Sequence, residues 1–287
     1  MKNKSGNTAF GASAIRLLEQ YQPENKRLFN DPVVFHVTNS FLRFLLKFKF
    51  MRNYYITISE KIIPGIIGGQ ICRTKFIDDK TLEVLKDVEQ ILILGAGLDT
   101  RAFRLKGIED KIIYEIDLPG VQKNKKKKLV KYLGALPTNV QYIPIDFNSE
   151  KTENVLKNTS FDFNRPTLVI LEAVIQYITE EAVREVFGFI AKLNKNSYLL
   201  FTYILSDVIE GKTEEAKRLL KWSEKKKCPF IFGINPAELP SFLQAYNLEI
   251  IEDVGTEFYQ KNYLDPIRRE IKIFDWERTD FSRVIKK

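Results

Sequence analysis

The run Ile91-Leu92-Ile93-Leu94-Gly95-Ala96-Gly97-Leu98-Asp99-Thr100-Arg101 constrains the fold more than any other stretch of this chain. Its four consecutive apolar residues read as a buried strand. The small-residue turn that follows lets a ligand approach bare backbone, and Asp99-Thr100 offers side chains that cap the free N–H groups of a helix start. Strand, glycine turn and helix start together specify a ligand site of the doubly wound α/β kind. One departure narrows the ligand. In the dinucleotide fingerprint a third glycine or alanine falls three residues after Gly97, and that position is Thr100. The change disfavours a pyrophosphate-bearing dinucleotide and favours an adenosyl ligand without one, of which S-adenosylmethionine is the candidate.

From about residue 81 strands alternate with helical patterns. Strands are expected at 90–94, 112–116, 140–145, 167–171, 198–203 and 249–254, with a seventh at 280–285. Helices are expected at 180–193 and 236–245, among others. This alternation predicts an α/β fold with a doubly wound, mostly parallel seven-stranded sheet covered on both faces. Residues 1–80 read differently. Ala14, Ile15, Leu17, Leu18 and Tyr21 lie at helical spacing, and Gln22-Pro23-Glu24-Asn25 breaks the pattern. The division expected is a helical N-terminal segment over 1–80 and a ligand-binding core over 81–287.

Ligands in such sheets bind beyond the carboxyl ends of the strands, so the acids there matter. The second strand ends in Asp117, about 20 residues past the glycine turn, where an acid accepts from both hydroxyls of a ribose. Glu115 lies on the same face, two residues earlier. The third strand ends in Asp146 beside Phe147, a pair suited to an adenine amino group and ring. The fourth ends in Glu172, suited to the cationic side of the ligand. Arg101 and Arg104 follow the turn and read equally well as salt-bridge residues.

The formal net charge is +8, spread over scattered lysines. The run Lys123-Asn124-Lys125-Lys126-Lys127-Lys128 reads as a solvated helix face, and without aromatic platforms it gives no reason to expect a nucleic-acid partner. Cys72 and Cys228 have neither metal nor redox spacing, no metal-binding cluster is expected, and no apolar run reaches membrane-spanning length. Together with a polar start without a signal pattern, this predicts a cytoplasmic protein. The stretch Phe41 to Phe50 interleaves basic and aromatic residues; it reads as an amphipathic helix packed on the core, with contact to a lipid surface as the alternative.

Leu94-Gly95-Ala96-Gly97-Leu98-Asp99-Thr100-Arg101-Ala102-Phe103-Arg104-Leu105 resembles the signature of the leucine carboxyl methyltransferase family, and in particular its microbial branch of S-adenosylmethionine-dependent O-methyltransferases of secondary metabolism. Further matching blocks include Asn7 to Arg16, Leu28-Phe29-Asn30-Asp31-Pro32, Arg73 to Asp79, Tyr114 to Pro119, Glu172 to Tyr177, Phe232 to Pro236 and Glu252 to Gly255. The resemblance implies a class I methyltransferase Rossmann-like core under an N-terminal helical lid, with S-adenosyl-L-methionine as cofactor. It also implies roles for single residues. Arg73 would bind the cofactor carboxylate, Gly95 and Gly97 its methionine part, Asp117 the ribose, Asp146 with Phe147 the adenine, and Glu172 the amino-acid end. Tyr177 falls where the family places a tyrosine near methyl transfer. The chain departs from the pattern at Ile66-Ile67-Gly68-Gly69-Gln70, which is more aliphatic than expected, and at the polar Gln176.

Methyl transfer from a sulfonium needs alignment and exclusion of water more than proton transfer. A carboxylate acceptor arrives ionised, whereas an aliphatic hydroxyl or amine calls for a base. The one histidine, His36, sits among Val33, Val34, Phe35 and Val37 and reads as a packed structural residue. The expected acceptor is therefore a carboxylate or acidic hydroxyl on a small, apolar molecule, with Tyr177 and Tyr203 as candidates to orient it. The alternatives are carboxyl methylation of a protein C-terminus, a nicotinamide-dependent oxidoreductase, and a non-catalytic binding module.

Overall fold

A computed structural model describes residues 6–285; the polar start Lys2 to Ser5 lies outside them. The strands are β1 (Gln90–Leu94), β2 (Ile112–Asp117), β3 (Val140–Pro144), β4 (Thr167–Leu171), β5 (Tyr198–Ile204), β6 (Leu248–Val254) and β7 (Glu277–Val284). They form one seven-stranded sheet in the order β3-β2-β1-β4-β5-β7-β6. The first five strands run parallel, and β7 inserts antiparallel between β5 and β6. The expected mostly parallel, doubly wound α/β sheet is the observed one. Every residue of β1 and β4 is buried, which is why these strands read as unbroken apolar runs rather than alternating ones. Side chains nonetheless alternate between two cores: Ile91 and Ile93 enter one, Leu92 and Leu94 the other. Edge strand β6 carries the acids Glu249, Glu252 and Asp253, and such charges discourage pairing with another sheet.

The N-terminal helices are α1 (Gly6–Glu19), α2 (Val34–Val37), α3 (Ser40–Leu45), α4 (Lys49–Ile62) and α5 (Ile66–Val84). Then follow α6 (Arg101–Arg104), α7 (Pro119–Leu133), α8 (Thr152–Leu156), α9 (Glu180–Ile190), α10 (Ser206–Ile209), α11 (Glu214–Lys225), α12 (Leu239–Gln244) and α13 (Thr256–Tyr259). Thr179 and Thr213 cap α9 and α11 by accepting from the Ala182 and Ala216 amides. The division expected at residue 80 falls inside α5, which continues to Val84. Leu17, Val34, Ile71 and Phe76 of the N-terminal helices share one apolar cluster with Ile91 and Ile93 of β1, so this segment is packed as part of the core.

Two local expectations need correction, and one departure from the family pattern gains a physical cause. The stretch 41–50 is not one packed helix: it breaks at Leu46, which is buried, and leaves Phe41, Phe44, Phe48 and Phe50 exposed. The lysine run of α7 is not wholly solvated, because Lys125 turns inward and its Nζ donates to Glu115 Oε2 at 2.6 Å. The aliphatic departure at 66–70 has a packing cause. A Cβ on Gly68 would strike the Lys272 carbonyl and one on Gly69 the Phe274 ring, so these glycines admit the chain at 271–274 across the start of α5. His36 is half-buried and stacks on Tyr132 with ring centroids 3.5 Å apart; burial and then the Arg43 charge lower its pKa.

Candidate active site

The site begins at the glycine turn. Gly95 has φ +68° and Gly97 φ +47°, and a Cβ on Gly95 would collide with Val174 Cγ2, so both the backbone angle and the space call for glycine at 95. The Ala96 amide donates to the Ile116 carbonyl and the Gly97 amide to Asp117 Oδ2 at 2.6 Å. The Leu118 amide donates to Asp117 Oδ1, also at 2.6 Å. Two backbone donors therefore fix the carboxylate at the end of β2, each oxygen keeping a lone pair for a further donor. Burial pushes this carboxyl up, against the lowering effect of those two amides.

The helix start differs from its sequence reading. Asp99 does cap, accepting from the Arg101 amide at 2.7 Å, but the Thr100 hydroxyl donates to Asp31 Oδ2 instead. Helix α6 is a single turn. A helix this short carries little of the macrodipole that holds a pyrophosphate, which argues physically against a dinucleotide here.

In place of a long helix, a buried ionic network lines the strand ends. Arg73 on α5 donates from Nε to Glu172 Oε1 at 2.9 Å and from Nη1 to Glu277 Oε1 at 2.6 Å. Arg101 donates from Nη1 to Asp99 at 2.5 Å and to Glu172 Oε2 at 2.8 Å, and from Nε to Asp78 at 2.8 Å. Arg104 engages both oxygens of Asp78, at 2.6 and 2.8 Å. Asp31 lies 3.5 Å from Arg16 and 3.6 Å from Arg104. Burial raises the Glu172 carboxyl, but the Arg101 and Arg73 charges outweigh it and hold the group below its ordinary value. Asp99 is likewise depressed, by Arg101, Lys125 and Arg16 against its burial. Glu277 is raised, because burial exceeds what Arg73 returns.

Glu172 ends β4, and Ala173 follows with φ +54°, its amide held by the Thr202 hydroxyl at 2.8 Å. This left-handed residue costs about 1–2 kcal/mol and turns the chain so that Val174 covers Gly95. A short turn over Ile175–Tyr177 then brings Tyr177 against Phe230, with ring centroids 5.4 Å apart. Phe230 neighbours Trp276 at 6.4 Å, and Trp276 neighbours Phe274 at 4.3 Å, making an aromatic wall beside Glu277. Burial, with Cys228 and Glu277 nearby, pushes the Tyr177 phenol well above its ordinary value.

The other sequence candidates are placed differently. Asp146 is exposed beyond β3, with its Oδ1 accepting from the Asn148 amide at 3.1 Å, and Phe147 packs partly into the second core. Tyr203 is fully buried and its hydroxyl donates to the Asp253 carboxylate at 3.1 and 3.2 Å, beside Arg278. It faces that ion pair, away from Arg73 and Glu172, because the pleat sends odd-numbered β5 residues to the second core. Asp31, Asp78 and Glu277 carry no spacing signal; only folding brings these three distant segments into one network of arginines. A cavity of about 410 Å³ lies between Glu83, Asp87, Tyr198, Glu249, Phe281 and Arg283. It is at the opposite edge of the sheet, near the start of β5, and has no part in this site.

The residues present fit an adenosyl sulfonium amino acid. The network holds four guanidiniums (Arg16, Arg73, Arg101, Arg104) against five carboxylates (Asp31, Asp78, Asp99, Glu172, Glu277), so its formal balance is −1 before Asp117 is added. Arg101 Nη2 is buried with no hydrogen-bond partner among the described residues, a donor suited to a ligand carboxylate. Among the described residues no cluster of His, Cys, Asp and Glu could hold a metal ion.

A seven-stranded sheet with this strand order, a glycine turn after β1 and an acid closing β2 defines the architecture of the class I methyltransferases. Residues 9–191 match the family model described as leucine carboxyl methyltransferase, and the chain belongs to that family. A protein of Mycolicibacterium vanbaalenii named "Putative S-adenosyl-L-methionine-dependent methyltransferase" is 30% identical over 220 residues, 75% of this chain and 71% of the relative. One of Mycobacterium marinum with the same name is 34% identical over 161 residues, 55% of this chain and 49% of the relative. The fold is shared with a crystal structure titled as a putative methyltransferase from Thermobifida fusca, with TM-score 0.60, 17% identity, and coverage of 83% of this chain and 90% of that one. A DUF574 family protein from Streptomyces avermitilis is similar at TM-score 0.59 and 16% identity, over 82% and 91%.

Proposed function

We propose that this enzyme methylates a carboxylate or an acidic hydroxyl of a small, apolar molecule. That it is a methyltransferase using S-adenosyl-L-methionine follows from its family and from the names of its relatives; the acceptor class is the proposal. When bound, the cofactor supplies a methyl group already activated by the sulfonium, whose departure leaves a neutral thioether. The chain's part is to bind and orient. Asp117, fixed by the Gly97 and Leu118 amides, is set to accept from ribose hydroxyls. Arg101 Nη2 is the free donor for the amino-acid carboxylate, and Arg73 and Glu172 hold that end rigid through their mutual contact. The exposed Asp146 with Phe147 is left for the adenine.

The single observation that carries the acceptor class is that, among the described residues, the acids around Glu172 are all taken up by arginine, while Asp117 and Asp146 are assigned to the ribose and the adenine. Glu172, Asp99, Asp78 and Glu277 are each paired with arginine, His36 is stacked on Tyr132, and Tyr177 is held protonated. An acceptor that arrives ionised asks for no base. The wall of Tyr177, Phe230, Trp276 and Phe274 suits an apolar body and keeps water out.

The test is a transfer assay with methyl-labelled cofactor against aromatic and aliphatic carboxylic acids, phenols, amines and C-terminal peptides, with base-labile label scored as methyl ester. Label on acids or phenols is expected; transfer to amines alone overturns the proposal. Calorimetry with S-adenosylhomocysteine checks the cofactor separately. Tyr177→Phe is expected to leave that affinity unchanged and to lower kcat by about 10–100-fold through lost orientation of the acceptor.

A further inference from the structure

The α3–α4 segment carries an apolar surface that none of the described residues covers. Phe41 on α3 is 72% exposed and Phe44 lies one turn later on the same side. Phe44, Phe48 and Phe50 continue into one another, with ring centroids 5.6 and 6.0 Å apart. Along α4 the stripe goes on at intervals of four residues through Phe50, Tyr54, Ile58 and Ile62, all exposed. No residue of this 14-residue helix is buried. Its opposite side already touches α5 and α11, so the stripe cannot be turned inward without giving up those contacts. Monomeric proteins seldom leave such a strip uncovered without a use for it.

Charge says what covers it. No acidic residue stands between Asp31 and Glu60, whereas Arg43, Lys47, Lys49 and Arg52 do. Glu60 is turned away, accepting from the Gly65 and Ile67 amides at the start of α5. Lys47 and Lys49 are exposed at the N-terminus of α4, which Phe48 leaves without a side-chain cap, so positive charge and free N–H dipoles collect at one end. Lys128 Nζ donates to the Val37 carbonyl, which sets the lysine-bearing helix α7 beside the entry to this segment.

We propose that the α3–α4 face docks on a lipid bilayer bearing anionic headgroups, its rings in the interfacial region and its lysines against the headgroups. Such a surface offers apolar depth and negative charge together and requires no matching shape. A second copy of the chain fits poorly, because a twofold contact would set this basic strip against itself with no acid to meet it. The contact lies along the surface: no helix among the described residues is long and apolar enough to cross a membrane.

The experiment is flotation of the full-length protein with vesicles of phosphatidylcholine alone and of phosphatidylcholine mixed equally with phosphatidylglycerol. The protein is expected to float with the mixed vesicles, more than tenfold better than with phosphatidylcholine, and to be released by salt. Lys47→Gln and Lys49→Gln are each expected to weaken partitioning about fivefold, and Phe41→Ser and Phe50→Ser about tenfold each. All four should keep the far-UV spectrum and the affinity for S-adenosylhomocysteine, since none belongs to the strand-end site. Three results overturn the proposal: no flotation with anionic vesicles, equal flotation with both compositions, or unchanged flotation of all four variants. A concentration-dependent dimer abolished by the same substitutions, without vesicle binding, assigns the face to a second copy instead.

Discussion

Replacing Asp117 by alanine tests the cofactor geometry most directly. The carboxylate is held by the Gly97 and Leu118 amides, each at 2.6 Å, and presents its remaining lone pairs beyond the end of β2. Two charge-assisted hydrogen bonds to ribose hydroxyls are worth about 1.5–3 kcal/mol each. Part of that strength is already offset by the desolvation that raises this carboxyl in the free enzyme. A net loss of about 3 kcal/mol, or roughly a hundredfold in Kd, is therefore expected. The unbound protein should change less, by about 1–2 kcal/mol, because the two amides lose their acceptor near a partly accessible turn. Calorimetric titration with S-adenosylhomocysteine measures the first quantity and urea denaturation without ligand the second. An Asp117→Ala enzyme that folds normally and binds within threefold of wild type would refute the placement of the ribose at β2.

Three further substitutions probe the scaffold. Arg101→Met removes the cation shared by Asp78, Asp99 and Glu172 and should destabilise the protein by about 3–5 kcal/mol, read from urea denaturation, since buried carboxylates are left uncompensated. Gly95→Ala combines a left-handed φ with a collision at Val174; a loss of about 2–4 kcal/mol and of cofactor binding is expected, checked by thermal unfolding with and without S-adenosylhomocysteine. Glu115 governs a pH effect: burial raises its carboxyl from 4.5 to about 7, against the lowering influence of Lys125. A raised folded-state pKa means that the native protein binds the proton more tightly than the unfolded chain. This contribution to stability is thus full below pH 4.5 and is lost as the pH rises through about 7. Glu115→Gln should flatten the stability profile across that window, and an unchanged slope would contradict the assignment.

What could be read from the chain depended on the range of the interactions involved. The strands β1 and β4 coincide with their apolar runs, and the Gly95 to Arg101 turn, Asp117 and Glu172 occupy the strand ends that local periodicity indicated, because pleat, turn chemistry and helix capping act over a few residues. Glu277 was invisible by the same rule. It opens β7 two hundred residues after Arg73, and β7 enters the sheet out of order and antiparallel. Helix α6 stops after one turn where Leu105 becomes extended and Gly107 left-handed, and its Thr100, Arg101 and Arg104 side chains turn inward to the buried Asp31 and Asp78. Lys125 likewise leaves a lysine run for a buried partner on another element. Local sequence thus determined the class of sheet and the bare-backbone turn at its edge. Tertiary structure alone decided which charges meet, which tyrosine faces the aromatic wall, and which aromatic stripe is left outside, since each outcome rests on contacts between segments far apart in the chain.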